Sequence, residues 1–397
     1  MISVDEALER IFATIAAPAG EAVSLAAAAG RVLASPLTAA HSQPPFDASA
    51  MDGYAVNAAD VVAGRALRLV GTSQAGQRFV GMMGHGQCVR IFTGAPLPIG
   101  ADAVVMQEDV KANGNEIEFT KDVVAGQFIR ARGTVFAEGQ TLLPAGTVLT
   151  PARLSLAAAA NRARLNVAQR PRIALFATGD ELVAPGSILG LDQIVSSNSV
   201  GLAALFAPFA TEIHDRGIVK DALGTLKAAL AEPLDRGIEV LITTGGASVG
   251  ERDFVQEALR DLGVELDFWK LAMRPGKPLM FGRRGTTLVF GLPGNPVSAL
   301  VTATVIVLPA LRKLLGQGDP VGTPLRLPLA APLPANGARR HFVRARIEPA
   351  PAGSQVMPFT ETDSGHIASL AAADSLIVQP EDSPALAAGT VVDVIPL

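Results

Sequence analysis

Residues 172–181 read RIALFATGDE and residues 239–253 read EVLITTGGASVGERD, and these two stretches decide the fold. Each opens with an apolar run of strand length and ends in glycine and polar residues, so each predicts a buried strand followed by a loop. Helices are predicted near 198–209, 223–231 and 254–262, and another strand is predicted over EIHDRGIV at 212–219. Alternating strands and helices predict a mostly parallel sheet with helices on both faces.

The residue composition and the hydrophobic pattern change on both sides of this region. MISVDEALERI predicts a helix over about 4–16, opened by a Ser3 to Glu6 capping box, and residues 21–38 form a second short Ala-rich element. Residues 41–139 contain short apolar runs between turn residues, among them an Asn113-Gly114 hairpin signal. Thr150-Pro151 is typical of a helix start, and the Pro-rich, apolar segments beyond Leu315 predict strands.

We therefore predict an α/β multidomain protein with a mostly parallel α/β sheet domain. The predicted parts are a discontinuous helical linker domain (1–40 and 140–170), a β-rich insertion (41–139), the α/β domain (171–318) and a C-terminal β-domain (319–397).

Composition excludes several classes of protein. Lys and Arg number 33 against 37 Asp and Glu, and aromatic residues are 5%, so a general nucleic-acid binder is not expected. Cys88 is the only cysteine, which excludes an intrachain disulfide. The N-terminus is acidic rather than basic, so we expect a cytoplasmic protein. Residues 285–311 carry no charge, but Pro293 and Pro296 interrupt them, so a buried strand, loop and helix are expected rather than a membrane span.

Three loops follow predicted strands and are candidates for ligand binding, because ligands of α/β sheets sit beyond the carboxyl ends of strands. The first offers a hydroxyl and two carboxylates, although an acidic turn that caps a helix explains it equally well. The second is Gly-rich, which favours a phosphate or pterin cradle over a plain connector. The third is compatible with a simple helix start. Their residues are Thr178, Gly179, Asp180 and Glu181; Gly245, Gly246, Ser248 and Gly250, followed by Asp253; and Pro293, Asn295, Pro296 and Ser298.

Between the second and third loops, residues 269–278 read WKLAMRPGKP. Pro275 and Pro278 make a continuous helix costly, so Arg274 and Lys277 are expected on a rigid loop. Cations held in fixed positions favour the binding of an oxyanion, while a solvated charge cluster remains the alternative.

Six motifs in order closely resemble the MoeA family of molybdopterin molybdenumtransferases, which is related to the E domain of gephyrin. They are SAMDGYA, IFTGAPLPIGADAVVMQED, ATGDEL, TTGGASVGERD, WKLAMRPGKP and GLPGNPVSAL. The resemblance implies an elongated homodimer whose site is completed by the β-rich insertion of the other subunit. It also implies the reaction, in which adenylylated molybdopterin and molybdate give molybdenum cofactor and AMP with Mg²⁺, and transient contact with the molybdopterin adenylyltransferase and apo-molybdoenzymes.

The resemblance further implies functional positions, of which Asp52, Asp253 and Glu181 are candidate Mg²⁺ ligands. In the C-terminal domain, Arg344 and Ser369 resemble anion-site positions. The remaining positions implied for catalysis are Thr93, Lys270, Arg274 and Lys277.

The sequence departs from the family pattern at Val135 and Lys220, where many relatives carry acids, although Asp221 directly follows Lys220 and is a candidate substitute. A third, milder departure is Ser196, where many have Asp. These departures motivate a second hypothesis, a molybdopterin-binding or scaffold paralogue without turnover. A large gain in turnover from Val135→Asp and Lys220→Asp would favour it. A third hypothesis is an adenylylating enzyme acting one step earlier, which ATP consumption without molybdate would reveal.

Overall fold

The structure, a computed structural model, describes residues 1–246, 254–351 and 353–397. The chain forms two compact units. The α/β unit contains Met1–Glu21, Gly146–Val148 and Val167–Leu397, and the β-rich unit contains Ala22–Ala145 and Leu149–Asn166. The four domain boundaries drawn from the sequence stay predictions.

The chain starts with helix α1 (Val4–Ala13) and strand β1 (Gly20–Ser24). The hydroxyl of Ser3 accepts a hydrogen bond from the Glu6 amide at 3.0 Å, as the sequence predicts for a helix N-cap. The helix ends three residues before the predicted end, and the Glu6 carboxylate pairs with Arg10 at 2.6 Å instead of completing a capping box.

The β-rich unit is built on a six-stranded mixed sheet, whose order is β7 (Ala103–Met106), β4 (Gly53–Val56), β6 (Gln87–Ile91), β5 (Ala66–Ser73), β9 (Glu116–Phe119) and β8 (Val110–Asn113). The predicted hairpin is confirmed, because β8 and β9 pair antiparallel around Gly114, whose φ is +62°. The Ala-rich element predicted over 21–38 is instead a strand, a 3₁₀ turn at Ala26–Ala28 and a second strand, since the alanines are too few to nucleate an α-helix. The elements that follow β1 are β2 (Leu37–Thr38), β3 (Ala48–Ser49), β4 (Gly53–Val56), β5 (Ala66–Ser73), β6 (Gln87–Ile91), β7 (Ala103–Met106), β8 (Val110–Asn113), β9 (Glu116–Phe119), β10 (Ile129–Arg130), β11 (Thr141–Leu143), α2 (Pro151–Ala159) and β12 (Arg164–Ala168).

The α/β unit continues with β13 (Arg172–Thr178), β14 (Leu182–Val183), β15 (Ile194–Val195), α3 (Asn198–Phe206), β16 (Glu212–Val219), α4 (Leu223–Asp235), β17 (Val240–Thr244), α5 (Phe254–Asp261), β18 (Glu265–Phe268), β19 (Met273–Arg274), β20 (Met280–Arg284), β21 (Thr287–Leu292), α6 (Pro296–Thr302) and α7 (Leu308–Leu314).

These strands form the predicted sheet, in the order β16-β13-β17-β21-β20-β18. The first four strands are parallel to one another, and the last two pairings are antiparallel. One face packs on α1, α3, α6 and α7, and the other packs on α4 and α5. Because both faces are covered, β13 and β17 are apolar runs without polar alternation.

The charge-free run of the sequence is packed as a core helix. Pro296–Leu314 forms a continuous helical run, with a π-helical segment at Ala303–Val307 between α6 and α7. By length and composition it is apolar enough to cross a membrane, yet 72% of that window is buried inside the structure. A single mostly buried helix of this kind is weak evidence for a membrane span.

The C-terminal part of the α/β unit is a second sheet, as predicted from its apolar segments. Its elements are β22 (Leu325–Pro328), β23 (Arg340–Ala350), β24 (Gly353–Pro358), α8 (Ile367–Ala371), β25 (Ser375–Gln379) and β26 (Val391–Pro396). The order is β19-β23-β25-β26-β22, with β24 paired to β23. Strand β19 therefore joins this sheet, and its Arg274 lies opposite His341 of β23.

Candidate functional site

A cavity of about 650 Å³ opens in the α/β unit at the carboxyl ends of β13, β17 and β21. The loops after these strands supply Thr178 and Glu181, then Thr244 and Gly245, then residues 293–296. Parallel strands end at one edge of a sheet, so three loops distant in sequence meet there. This is the place where the sequence predicts a ligand.

Two glycines allow the loops after β13 and β17 to approach each other. Gly245 has a φ of +86°, and a Cβ atom at that position would lie 2.3 Å from the carbonyl oxygen of Thr178. A Cβ atom on Gly246 would lie 2.4 Å from Cγ2 of Val255. Any larger residue at Gly245 would displace the Thr178 loop, so the glycines serve close packing of the cavity wall.

Arg274, at the end of β19, and Lys277, on the loop that follows, line the cavity, and backbone hydrogen bonds fix this segment. The Leu271 amide donates to the Lys277 carbonyl at 2.8 Å, and the Ala272 amide donates to the Ile2 carbonyl at 2.8 Å. Gly276 has a φ of +101° and approaches Thr302 so closely that a Cβ atom would lie 2.1 Å from its Oγ1. The predicted rigid loop is therefore present in the structure.

The cations of the cavity have no carboxylate partners in the part of the chain that the structure describes. Within residues 1–246, 254–351 and 353–397, neither Arg274 nor Lys277 forms an ion pair, and neither does Arg339, a third cation in the wall. Glu181 is the acid that lines the same cavity. An excess of fixed positive charge in a partly enclosed space attracts an anion.

The third loop is held from the C-terminal sheet rather than by a helix cap. Asn295 occupies the N-cap position of α6, and Pro296 is the first helical residue, as predicted. The Asn295 side chain does not cap the helix, because its Nδ2 donates to the Ser364 hydroxyl at 2.8 Å. The Val297 amide donates to the carbonyl of Ser364 at 3.2 Å. Thr362 and Ser364 of this loop therefore line the cavity.

A group of acids lies beside the cavity. The Asp221 amide donates to Oδ1 of Asp180 at 3.3 Å. Burial raises the pKa of Asp221, and the charges of Asp180 and Glu181 act in the same direction. Lys220 is exposed, and its neighbour Asp221 is the residue at the end of β16 that lies close to Asp180 and Glu181. The effect of Lys220 on activity stays a prediction. In the described part of the chain, no three acidic, histidine or cysteine side chains converge as metal ligands.

Arg344 and Ser369 do not form an open anion site. The Arg344 guanidinium is buried and donates to the Ser369 hydroxyl and to the carbonyls of Glu361, Asp363 and His366. Its donors are thus taken by protein atoms, and neither residue lines the cavity. The anion-site role that the resemblance implies for Arg344 and Ser369 stays a prediction.

In the β-rich unit, Asp52 and Thr93 form a compact exposed pair. One carboxylate oxygen of Asp52 accepts from the Thr93 amide at 2.7 Å and from the Thr93 hydroxyl at 2.8 Å. These hydrogen bonds lower the pKa of Asp52, with a smaller contribution from Arg90. Arg90 stacks between Tyr54 and Phe92, at 5.1 and 4.8 Å from their ring centroids, and donates to the Gly53 carbonyl. The Asp52 carboxylate is therefore stabilised in its ionised form at the surface.

The structure brings together part of the predicted site. The predicted residues that line the cavity are Thr178, Glu181, Gly245, Arg274, Lys277, Pro293, Asn295, Pro296 and Ser298. The predicted residues of the α/β unit that do not line it are Gly179, Asp180, Gly246 and Lys270. Asp52 and Thr93 belong to the β-rich unit. Ser248, Gly250 and Asp253 lie outside the described residues.

The sequence analysis did not single out Arg339, Thr362 and Ser364 as site residues, and Asp221 entered it only as a neighbour of Lys220. The pairing of β19 with β23 brings the C-terminal sheet to the cavity, and with it Arg339, Thr362 and Ser364. No local sequence pattern predicts this pairing. The polar run TDSG at 362–365 is the one signal that could have drawn attention to this wall.

Comparison with known proteins agrees with this architecture. Residues 2–161 match the family model described as MoeA N-terminal region (domain I and II), residues 174–313 match the probable molybdopterin binding domain, and residues 326–397 match the MoeA C-terminal region (domain IV). The chain is 40% identical to a molybdopterin molybdenumtransferase of Nostoc over 75% of this chain and 70% of the relative. It is 37% identical to molybdopterin molybdenumtransferase 2 of Mycobacterium tuberculosis over 93% of each chain.

Among solved structures, the chain is similar to a molybdopterin biosynthesis MoeA protein from Pyrococcus horikoshii. The TM-score is 0.87 at 28% identity, with 100% of each chain covered.

Proposed function

The chain belongs to the MoeA family of molybdopterin molybdenumtransferases, and we propose that it inserts molybdate into adenylylated molybdopterin with release of AMP. The observation that carries this proposal is the cavity in which Arg274 and Lys277 are fixed with no carboxylate partner among residues 1–246, 254–351 and 353–397. Both molybdate and the adenylyl phosphate are oxyanions, and guanidinium and ammonium groups bind such anions through charge-assisted hydrogen bonds.

Catalysis in this cavity consists of positioning and charge stabilisation. Arg274 and Lys277 hold molybdate near the dithiolene sulfurs of molybdopterin, which makes the transfer effectively unimolecular. The phosphate of AMP leaves with negative charge that the same cations stabilise. The loops at Gly245 and at residues 293–296 pack at the strand ends and hold the pterin beside these cations.

Mg²⁺ is part of this proposal, and the acids beside the cavity fit a hard cation. Asp221 carries a raised pKa because it is partly buried near Asp180 and Glu181, and a divalent cation would neutralise that repulsion. Glu181 lines the cavity and stays a predicted ligand together with Asp52 and Asp253, while Asp180 and Asp221 lie beside Glu181 and strengthen the negative field around the ion. When bound, Mg²⁺ neutralises charge on the leaving phosphate.

The Mg²⁺ proposal is tested by the thermal stability of Asp221→Asn. The substitution removes a carboxylate that its neighbours repel. We therefore expect it to raise the free energy of unfolding of the metal-free protein by about 0.5 kcal/mol, which gives a slightly higher Tm. The same change is expected to reduce the additional Tm increase that Mg²⁺ gives the wild type. A full Mg²⁺ response in the variant contradicts this assignment. Asp235→Asn, remote from the cavity on α4, is the control.

The proposed assembly is a cytoplasmic homodimer in which Asp52 and Thr93 of one subunit complete the site of its partner. The support is that the Asp52 carboxylate is exposed, while hydrogen bonds from Thr93 fix its position and lower its pKa, with a smaller contribution from Arg90. Transient contacts with the molybdopterin adenylyltransferase and with apo-molybdoenzymes belong to the same proposal.

The direct test measures AMP release from adenylylated molybdopterin with molybdate and Mg²⁺. Wild-type protein is expected to accelerate release, and Lys277→Ala and Asp253→Ala are expected to slow it at least tenfold. Lys227→Ala is the matched control, because Lys227 forms an exposed ion pair with Asp261 on the helices behind the sheet. Release that is no faster than without protein, or that is unchanged in Lys277→Ala, overturns the proposal.

A further inference from the structure

Asp52 belongs to a network that fixes its backbone as well as its side chain. Its carboxylate accepts two hydrogen bonds from Thr93, and its carbonyl accepts one from the Gln107 amide at 3.1 Å. The next residue, Gly53, opens β4, and its carbonyl accepts from Nη1 of Arg90 at 3.0 Å. Hydrogen bonds to two successive carbonyls therefore hold the backbone that carries the acid.

The Arg90 guanidinium joins two parts of this network. Its Nη2 donates to Oε1 of Gln107 at 2.6 Å, while its Nη1 holds the Gly53 carbonyl. Gln107 begins the 3₁₀ turn Gln107–Asp109 that follows β7, so one side chain of β6 reaches across β4 to the end of β7. The planar fork of arginine suits such a bridge, because its nitrogens donate in two fixed directions at once.

Two aromatic rings fix the plane of this guanidinium. It lies 5.1 Å from the ring centroid of Tyr54 and 4.8 Å from that of Phe92, within the range of cation–π attraction. Tyr54 has 8% of its surface exposed and packs edge to face on Phe119. One of the two rings is therefore part of the core of the β-rich unit, and it anchors the arginine to that core.

Arg90 contacts the sequence neighbour of each member of the Asp52–Thr93 pair. Gly53 follows Asp52, and Phe92 precedes Thr93. Within residues 1–246, 254–351 and 353–397, Arg90 forms no ion pair, and both of its terminal nitrogens donate to neutral protein oxygens. Because its fork and its faces are turned to protein groups, Arg90 is suited to fix the geometry of its neighbours rather than to bind an anion.

We propose that Arg90 is the positioning residue that fixes Asp52 and Thr93 in the orientation in which they complete the cavity of the partner subunit. The inference rests on the proposed function, which assigns this pair to the partner's site. A displacement of about 1 Å at a catalytic site can cost about 100-fold in rate, so an exposed acid at the start of a strand needs such a support.

The rate of AMP release tests this role with matched substitutions of arginine. Arg90→Gln is expected to lower kcat and kcat/KM by a similar factor, about tenfold, because Asp52 is still present but loses its fixed orientation. Arg90→Lys is expected to fall between Arg90→Gln and the wild type, since one ammonium replaces only part of the fork. Arg68→Gln, at an exposed arginine of neighbouring β5, is the control for the loss of one charge. An unchanged kcat in Arg90→Gln overturns the proposal.

A merely structural role of Arg90 is separated by thermal stability and by a second variant. An Arg90→Gln protein with a lower Tm, whose folded fraction keeps the wild-type kcat, overturns the proposal. If Arg90→Gln does not fold, Gln107→Ala decides, because it removes one acceptor of the fork and keeps the aromatic stack and the Gln107 amide. Its kcat is expected to fall about threefold, the effect of one hydrogen bond, and a wild-type kcat overturns the proposal.

Subunit complementation tests whether Arg90 acts on the cavity of the partner. Arg90→Gln and Lys277→Ala chains are co-expressed with two different tags and isolated as the heterodimer. One cavity of this dimer combines an intact Lys277 with an intact Arg90 from the other chain, so about half of the wild-type rate is expected. If Arg90 served the cavity of its own chain, both cavities would be impaired. A rate as low as that of the two mutant homodimers overturns the proposal.

Two measurements separate this outcome from that of the proposed function. A heterodimer of Asp52→Asn with Lys277→Ala that recovers no activity overturns the shared site itself, whereas recovery there but not with Arg90→Gln overturns the role of Arg90 alone. The second measurement is hydrogen exchange of the Thr93 amide, which donates to Asp52 at 2.7 Å. If the wild type releases no AMP, the transferase assignment fails and this amide decides the positioning role. Faster exchange in Arg90→Gln supports the role, and unchanged exchange overturns it.

Discussion

Gly276 fixes the conformation of the segment 274–278, the cation loop, which carries Arg274 and Lys277. Its φ of +101° is unfavourable for any L side chain, and a Cβ atom would lie 2.1 Å from Oγ1 of buried Thr302. The sequence Pro-Gly-Lys-Pro at 275–278 therefore packs against helix α6 at Thr302, and this contact fixes the positions of Arg274 and Lys277.

We expect Gly276→Ala to destabilise the protein by about 2 to 4 kcal/mol, because backbone strain and a steric clash act together. Gly263→Ala separates the two effects, since Gly263 has a φ of +78° and open space around its Cα. The control is expected to cost about 1 kcal/mol. Denaturant unfolding measures both, and equal losses would contradict the packing argument.

His341 is a neutral histidine among arginines. Burial lowers its pKa to about 4, below the ordinary 6.5, and Arg274 contributes in the same direction. The unfolded chain therefore binds more protons between about pH 6.5 and 4, so stability is lost as the pH falls through that window.

We expect His341→Gln to reduce this loss by about 1 to 2 kcal/mol between pH 7 and pH 4.5, an amount discounted for partial exposure. Glutamine keeps a polar contact with Gln379 and does not titrate. Urea unfolding at several pH values gives the measurement, with His214→Gln at an exposed position as the control. An identical pH dependence in wild type and His341→Gln would refute the explanation.

At the scale of elements, helix α1 supports the segment that leads into the cation loop. Asp5 pairs with Arg340, Arg10 pairs with Asp267, and the Ala272 amide donates to the Ile2 carbonyl. The N-terminal helix thus stabilises the backbone next to Lys270, although Lys270 itself does not line the cavity.

Ser3→Ala removes the N-cap of α1 and is expected to cost about 1 kcal/mol. It is also expected to accelerate hydrogen exchange of the Ala272 amide, because that amide depends on the docked N-terminus. Thr150→Ala removes the equivalent cap of α2, where the hydroxyl accepts from Arg153 at 3.4 Å, and is expected to leave Ala272 protected. Equal protection of Ala272 in wild type and Ser3→Ala would contradict the coupling.

The elements themselves could largely be predicted, because their signals are local. Buried runs such as that of β17 and turn signals such as Asn113-Gly114 mark strands and hairpins directly. Residues 21–38 differ from the prediction, because they form two short strands and a 3₁₀ turn rather than one Ala-rich element. Gly30 follows the alanine run with a φ of +69°, which an α-helix does not accommodate. Local composition is a weak guide where a segment is too short to form a stable helix.

At the scale of the whole molecule, the cavity depends on contacts that are remote in sequence. The three strand-end loops were predictable, since parallel strands end at one edge. Arg339 and residues 361–366 were not, because their place depends on the pairing of β19 with β23 and on the buried contacts of Arg344. The resemblance to MoeA proteins implies the reaction, and the fixed cations at the strand ends are the reason we propose that its anions bind at this cavity.

The position of tungstate in crystals of the protein tests the central claim most directly. The cation cavity at the carboxyl ends of β13, β17 and β21 is expected to show a strong anomalous peak beside Arg274 and Lys277, and Lys277→Ala is expected to reduce its occupancy. An empty cavity in the wild type, with tungstate bound only at remote surface cations, would contradict the account.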